Sequence, residues 1–277
     1  MPYSPFDGIV LSTDAIRDLL PYRSMNTEFI FLNQDSLGFG IRFDVQQRGD
    51  IDQIHSIILE HTQHTFNCTL MIHRHHYQYP PTHNPHYYLF VSIKNNPQQD
   101  KTLEHCRQSI VARFKQNLIA HQCVTSTDFL IFLRALVSPD LTAATWPGLI
   151  DIKHKPFHHI IPNSGTRFHI AAHDLEIASP NTQGLFQRTQ MTQYQFGAIL
   201  DPYEFWSSIY PITSRLHCDW LMTVPLKTMH ARVLLMTTAR QTLVQRQKAE
   251  NLYADRGLQL QPCDMPLYSF LSCLPFR

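Results

Sequence analysis

The sequence predicts an α+β fold, with mixed or antiparallel sheets and helices packed on one side, arranged as one domain or as two ferredoxin-like subdomains. Three observations predict it. Short apolar strand-like runs alternate with amphipathic helical stretches along the chain. Those runs are shorter than the apolar strands that an all-parallel sheet, buried on both faces, requires. The 277 residues, 43% of them hydrophobic, suffice to bury a core and exceed the usual size of one domain. The elements follow one another without a repeat.

Phe29 to Leu32 and Leu37 to Phe43 are aromatic-rich runs separated by the polar turn Asn33-Gln34-Asp35-Ser36, the pattern of a hairpin. From Asp50 to Ile58, Ile51, Ile54, Ile57 and Ile58 share one helical face, and Phe66 to Ile72 is β-rich. Tyr87 to Ile93 reads as a strand. Pro97 to His121 then sets Leu103, Cys106, Ile110, Phe114 and Leu118 three and four apart, the stripe of an amphipathic helix packed on a sheet. Ser126-Thr127-Asp128 supplies the cap of a helix over Phe129 to Val137 that stops near Pro139.

Between Thr142 and Gln183 the text is rich in Pro, Asn, Ser, Thr and His, with short strand-like runs such as Arg167-Phe-His-Ile-Ala-Ala. A strand over Tyr194 to Leu200 leads to Asp201-Pro202, a cap and first-turn proline for a helix carrying Phe205, Trp206 and Ile209. Trp220 to Leu226 reads as a strand. Thr228 to Ala254 reads as one long helix with its glutamines, Arg240, Arg246 and Lys248 toward water, and a short helix closes the chain. The expected organisation is an N-terminal subdomain over residues 1–140 with its hairpin at 29–43, a loop-rich connecting segment over 141–190, and a second α+β subdomain over 191–277.

A formal net charge of +1 argues against polyphosphate binding, so no direct nucleic-acid contact is expected. No run is long enough to span a bilayer, and Met1-Pro-Tyr-Ser-Pro-Phe-Asp lacks the layout of a signal peptide. Cys68, Cys106, Cys123, Cys218, Cys263 and Cys273 form no C-x-x-C pair and read as reduced thiols, with neither a zinc knuckle nor a redox dithiol. None of the nine glycines is followed by Lys, so the chain holds no G-x-x-x-x-G-K-[S/T] loop to cradle phosphates.

Three blocks carry a resemblance. Leu-Pro-Tyr-Arg-Ser at 20–24 precedes an Asp-Ser-Leu-Gly-Phe hairpin at 35–39. Tyr194-Gln-Phe-Gly-Ala-Ile-Leu-Asp-Pro-Tyr-Glu-Phe-Trp206 joins a strand to a helix start. Gly257-Leu-Gln-Leu and Met265-Pro-Leu-Tyr-Ser-Phe-Leu-Ser-Cys-Leu-Pro275 close the chain. In this order they resemble the amino-terminal region of the TraC family, the pilus-assembly ATPases of F-type conjugative type IV secretion systems. The middle, residues 44 to 190, matches in its pattern of elements alone. The resemblance implies α+β subdomains ahead of a RecA-like motor whose phosphate loop lies beyond the Leu-Pro element. It implies a non-catalytic docking domain, cytoplasmic and peripheral to the bacterial inner membrane, binding secretion subunits there and neighbouring copies of itself.

Seventeen histidines suggest an alternative from another class, a small metal-dependent or phosphoesterase-like hydrolase using the loop 73–86, with His73, His75, His76, His83 and His86. Against it, the cluster borders Tyr79-Pro80-Pro81, lacks H-E-x-x-H spacing, and contains no acidic residue. His154, His158 and His159 read as a polar loop. His64-Thr65-Phe66 only partly matches the H-x-T element of two-histidine phosphoesterases, and no G-x-S-x-G elbow is present. Trp146, Trp206, Trp220 and the runs Tyr77 to Tyr79 and Tyr87 to Phe90 read as core or sheet surface. No catalytic, metal-binding or cofactor-binding residue is therefore assigned, and no cofactor is expected.

Overall fold

The computed structural model describes residues 9–11, 20–26, 29–32, 36–46, 48–62, 65–74, 85–94, 98–137, 167–170, 174–180, 186–196, 215–216, 218–225, 231–238, 242–263, 271 and 274–276. They form an α+β fold in which every strand pairing is antiparallel. The strands are β1 (Ile9–Leu11), β2 (Tyr22–Met25), β3 (Ile30–Leu32), β4 (Ser36–Phe43), β5 (Asn67–Arg74), β6 (His86–Lys94), β7 (His121–Cys123), β8 (Arg167–Ile170), β9 (Asp174–Pro180), β10 (Phe186–Phe196), β11 (Asp219–Pro225), β12 (Arg232–Thr238) and β13 (Leu260–Pro262). The helices are α1 (Arg48–Thr62), α2 (Gln99–Gln116), α3 (Ser126–Val137) and α4 (Thr242–Ala254).

The strands join one sheet in the order β1-β8-β9-β10-β12-β11-β5-β6-β4-β3-β2, with β7 on β4 and β13 on β10. That order is a near-palindrome. In the first half, β4-α1-β5-β6-α2-β7 is a ferredoxin-like βαββαβ unit with spatial order β7-β4-β6-β5, preceded by the β2–β3 hairpin. In the second, β10, β11, β12, α4 and β13 take the same order, β13-β10-β12-β11, preceded by the β8–β9 hairpin. The expectation of no repeat is corrected here: the repeat lies in topology and register.

The register shows how closely the halves correspond. One row of residues crosses the sheet as Gln122, Arg42, Tyr88, Met71, Thr223, Arg232, Gln195, Gln261, each paired with the next. Its first four residues stand on β7, β4, β6 and β5 and its last four on β11, β12, β10 and β13, so a pseudo-twofold axis passes between Met71 and Thr223. Leu11 and Tyr22, eleven residues apart, begin from opposite ends of this strand path. Eleven residues reach about 36–40 Å, whereas the ten strand spacings of a flat sheet would need about 48 Å. The sheet is therefore bent, as strongly twisted large sheets are.

α1, α2 and α4 pack on one face through Ile54, Ile57, Ile58, Leu103, Cys106, Ile110, Phe114, Ala249 and Tyr253. α3 covers the opposite face through Phe129, Leu130, Phe132, Leu133 and Leu136. Its cap sits one residue earlier than expected. The Thr125 hydroxyl accepts from the Asp128 amide at 3.2 Å, and the Asp128 carboxylate accepts from the Thr125 amide at 3.1 Å, a reciprocal capping box.

Two expectations fail for physical reasons. The long helix over 228–254 is instead β12 followed by α4. Val233 and Leu235 bury on the helix face and Leu234 and Met236 on the other, so β12 reads as a continuous apolar run that periodicity cannot tell from a buried helix. Leu118 does not extend the stripe of α2. The helix ends at Gln116 and Leu118, 90% exposed, takes φ 58°.

That ending is a Schellman turn: the Ile119 amide donates to the Phe114 carbonyl at 2.9 Å and the Leu118 amide to the Lys115 carbonyl at 3.2 Å. α4 ends the same way, with Leu258 donating to Tyr253 at 3.0 Å, Gly257 to Ala254 at 2.9 Å, and Gly257 at φ 72°. The shared caps align the helices, and their buried positions coincide, Leu103, Cys106, Ile110 and Phe114 against Thr242, Gln245, Ala249 and Tyr253. Leu118 thus occupies a left-handed site its counterpart fills with glycine. Leu118→Gly is expected to raise unfolding stability by about 1 kcal/mol in urea titration.

Candidate functional site

The first and last resemblance blocks, from opposite ends of the chain, meet on the α3 face. Tyr22 donates its hydroxyl proton to the Pro275 carbonyl at 3.2 Å, a buried bond. Phe276 lies across β4 so closely that a Cβ on Gly38 would clash with the edge of its ring, which is the room the glycine of Ser-Leu-Gly-Phe provides. Leu271 and Leu274 are buried in the same cluster.

An aromatic seam runs from this joint along the strands. Tyr22 meets Phe129 edge-on at 5.3 Å, Phe276 meets Phe90 at 5.4 Å and Phe129 at 6.0 Å, and Phe132 meets Phe90 at 5.6 Å and Tyr88 at 4.8 Å. Such ring pairs each add about 0.5–1.5 kcal/mol beyond the area they bury. The seam ends at two histidines. His73 and His86 are register partners on neighbouring strands, both buried, with His73 edge-on to Phe132 at 5.6 Å and His86 edge-on to Tyr88 at 6.4 Å.

The structure thus brings two histidines of the 73–86 cluster together and packs them into an aromatic seam under α3. His75, His76 and His83 lie outside the described residues, as do His64, His154, His158, His159, Trp146 and Trp206. Among the described residues no group of three or more His, Cys, Asp and Glu could hold a metal ion. Trp220 is fully buried in the core. The middle blocks also pair: Tyr194 to Phe196 on β10 carry β13, which begins at the leucine of Gly257-Leu-Gln-Leu. Arg246, expected toward water, donates to the Tyr194 hydroxyl at 3.3 Å, and Lys248 donates to the Arg215 carbonyl at 2.8 Å.

Electrostatics in the seam follow from burial. Burial pushes the Tyr88 phenol up to about 12, helped by Asp128 and opposed by Arg42. On the opposite face of the sheet, burial pushes the Cys106 thiol up to about 12, with Cys68 adding to it. Neither is a nucleophile near neutral pH. Sequence reasoning missed Gly38, Phe276, Phe129 and Phe132 as a unit. Gly38 stood out only as part of its hairpin block, the three phenylalanines carried no signal beyond apolarity, and their proximity comes from the fold.

No family model matches the chain. No curated protein matches it either. Among solved structures it is similar to the glycopeptide hexose oxidase DBV29 complexed with teicoplanin, at 8% identity and a TM-score of 0.36, over 87% of this chain and 43% of that one. The chain therefore spans less than half the length of that oxidase, and a likeness this slight supports no conclusion about activity.

Two outcomes are expected. Gly38→Ala costs about 1–3 kcal/mol in denaturant titration, and most of that cost disappears in a Phe276→Ala background. For Tyr88, the folded-state value lies above the ordinary 10.0, so its contribution is whole below pH 10 and is lost as pH rises toward about 12. Tyr88→Phe should flatten the fall of unfolding free energy over that window relative to the native chain.

Proposed function

We propose that the chain is a non-catalytic assembly domain, the amino-terminal part of a TraC-like type IV secretion ATPase, which docks that motor to inner-membrane components of a conjugative pilus machine. The observation that carries the reading is the clamp between the opening hairpin and the closing Leu-Pro element: Tyr22 bonded to Pro275 and Phe276 laid on Gly38. In the resembled family the motor follows that element. A root bound into the sheet and the α3 aromatic seam would tie the motor's position to the domain that docks it. The absence of a phosphate loop from the sequence fits a role in placement rather than turnover.

The reading makes two demands. The purified chain should release phosphate from ATP no faster than a buffer blank, and measurable turnover would sink the non-catalytic assignment. It should also sediment with inner-membrane vesicles that carry conjugative pilus subunits and remain in the supernatant with vesicles that lack them. No helix among the described residues is long and apolar enough to cross a membrane. Stoichiometric zinc or manganese in the purified chain, lost on changing His73 and His86, would turn the assignment to the hydrolase alternative.

A further inference from the structure

The chain seats the Phe276 ring at a backbone cost. Phe276 takes φ 69°, the left-handed region, where the Cβ of an L residue crowds the following carbonyl oxygen, a penalty equivalent to roughly a five- to thirtyfold shift in population. Such an outlier persists where its surroundings hold it. Here the ring is what is held. Gly38 and Gly40, two apart and so on one face of β4, leave that face without Cβ atoms. A Cβ on Gly38 would strike the Phe276 ring, and one on Gly40 would meet the Phe90 ring at 2.8 Å. Phe90 and Phe129 wall the slot, their ring centroids 5.4 and 6.0 Å from that of Phe276. Leu118 makes the contrast. Its left-handed turn closes a helix cap and its side chain stands in solvent.

We propose that Leu274-Pro275-Phe276 is a strap with two positions. Seated, its ring fills the slot over Gly38; unseated, residue 276 relaxes to negative φ and the slot stands open. The seated state is marginal by construction, because the left-handed backbone subtracts from what burying one partly exposed ring contributes. The strap is tied to α3 by two routes. Phe129 of α3 touches Phe276 directly, and it also meets Tyr22 edge-on at 5.3 Å, whose hydroxyl donates to the Pro275 carbonyl at 3.2 Å. Unseating therefore removes one ring from α3 and one bond from Tyr22, the second ring on which α3 rests. The β5–β11 pairing keeps its own contacts. Whatever draws the strap off loosens α3, and whatever loosens α3 releases the strap, since such coupling is reciprocal. The strap is the clamp that carries the proposed function, given a second position, yet it rests on these contacts alone: ATP turnover by the chain would end the assembly reading and leave the strap standing.

Fluorine NMR of the full chain carrying 4-fluorophenylalanine at position 276 tests the seating. As urea is raised, the signal should pass to that of the free, identically labelled peptide Leu271–Arg277 before far-UV circular dichroism changes. Gly38→Ala, which fills the slot, should give the peptide-like signal without urea. Hydrogen exchange read by mass spectrometry tests the coupling. Phe276→Ala, a change at the partly exposed edge of the cluster, should speed exchange in α3 peptides by about tenfold or more and leave β5 and β11 peptides within about twofold of the native chain. A 276 signal that changes only together with the circular dichroism would overturn the strap. So would α3 exchange that Phe276→Ala leaves unmoved, or an equal acceleration in α3, β5 and β11, the mark of an ordinary core residue.

Discussion

The antiparallel pairing of β5 with β11, from Arg74 opposite Trp220 to Thr69 opposite Pro225, is the joint on which the sheet depends. Each ferredoxin-like unit by itself would present this strand as a bare edge, with a row of unpaired amide and carbonyl groups. Pairing the two edges satisfies both rows and continues the core through the seam. On the helix face Cys68, Leu70 and Ile72 meet Trp220, Met222 and Val224, and on the other face Met71 lies beside Leu221. The halves share a core, so neither is a separable domain in the usual sense.

Once the two units share a sheet, the rest follows by division of faces. Among the described residues three helices occupy one side, α3 with Leu271, Leu274 and Phe276 the other, and the bend of the sheet lets eleven residues separate β1 at one end from β2 at the other. The aromatic seam under α3 buries a phenol whose ionisation it disfavours and two imidazoles set edge-on to neighbouring rings. It is a place for rigidity, and the proposed role as the root of a motor asks for rigidity. The halves differ in the helix they share: α2 buries Leu103, Cys106, Ile110 and Phe114, whereas α4 buries Thr242, Gln245, Ala249 and Tyr253 and leaves Leu243 and Val244 exposed.

Part of the candidate site was legible. The hairpin, the glycine in Ser-Leu-Gly-Phe and the terminal Leu-Pro element stood out as blocks, because turn residues and prolines carry local information. That the blocks touch was not legible, since Tyr22 and Pro275 are separated by nearly the whole chain and nothing local couples them. The histidine cluster was legible as a run of close spacings and not as a pairing. Close spacing of His73 and His75 suggests convergence on a ligand, whereas strand pairing sets His73 against His86 and the seam buries both.

Sequence by itself determined the α+β class, the first hairpin, α1, the buried stripe of α2 from Leu103 to Phe114, and the strands β5, β6 and β11, because periods of two and of 3.6 residues and turn chemistry are local properties. Tertiary structure alone decided that β12 is a strand, since an apolar run buried on both faces has no period to read. It alone decided the duplication as well. The two halves share register and caps but not residues: Leu103 answers to Thr242 and Ile110 to Ala249. A fold conserves which positions are buried, and burial is set by where the strands pair, not by the letters that fill the places.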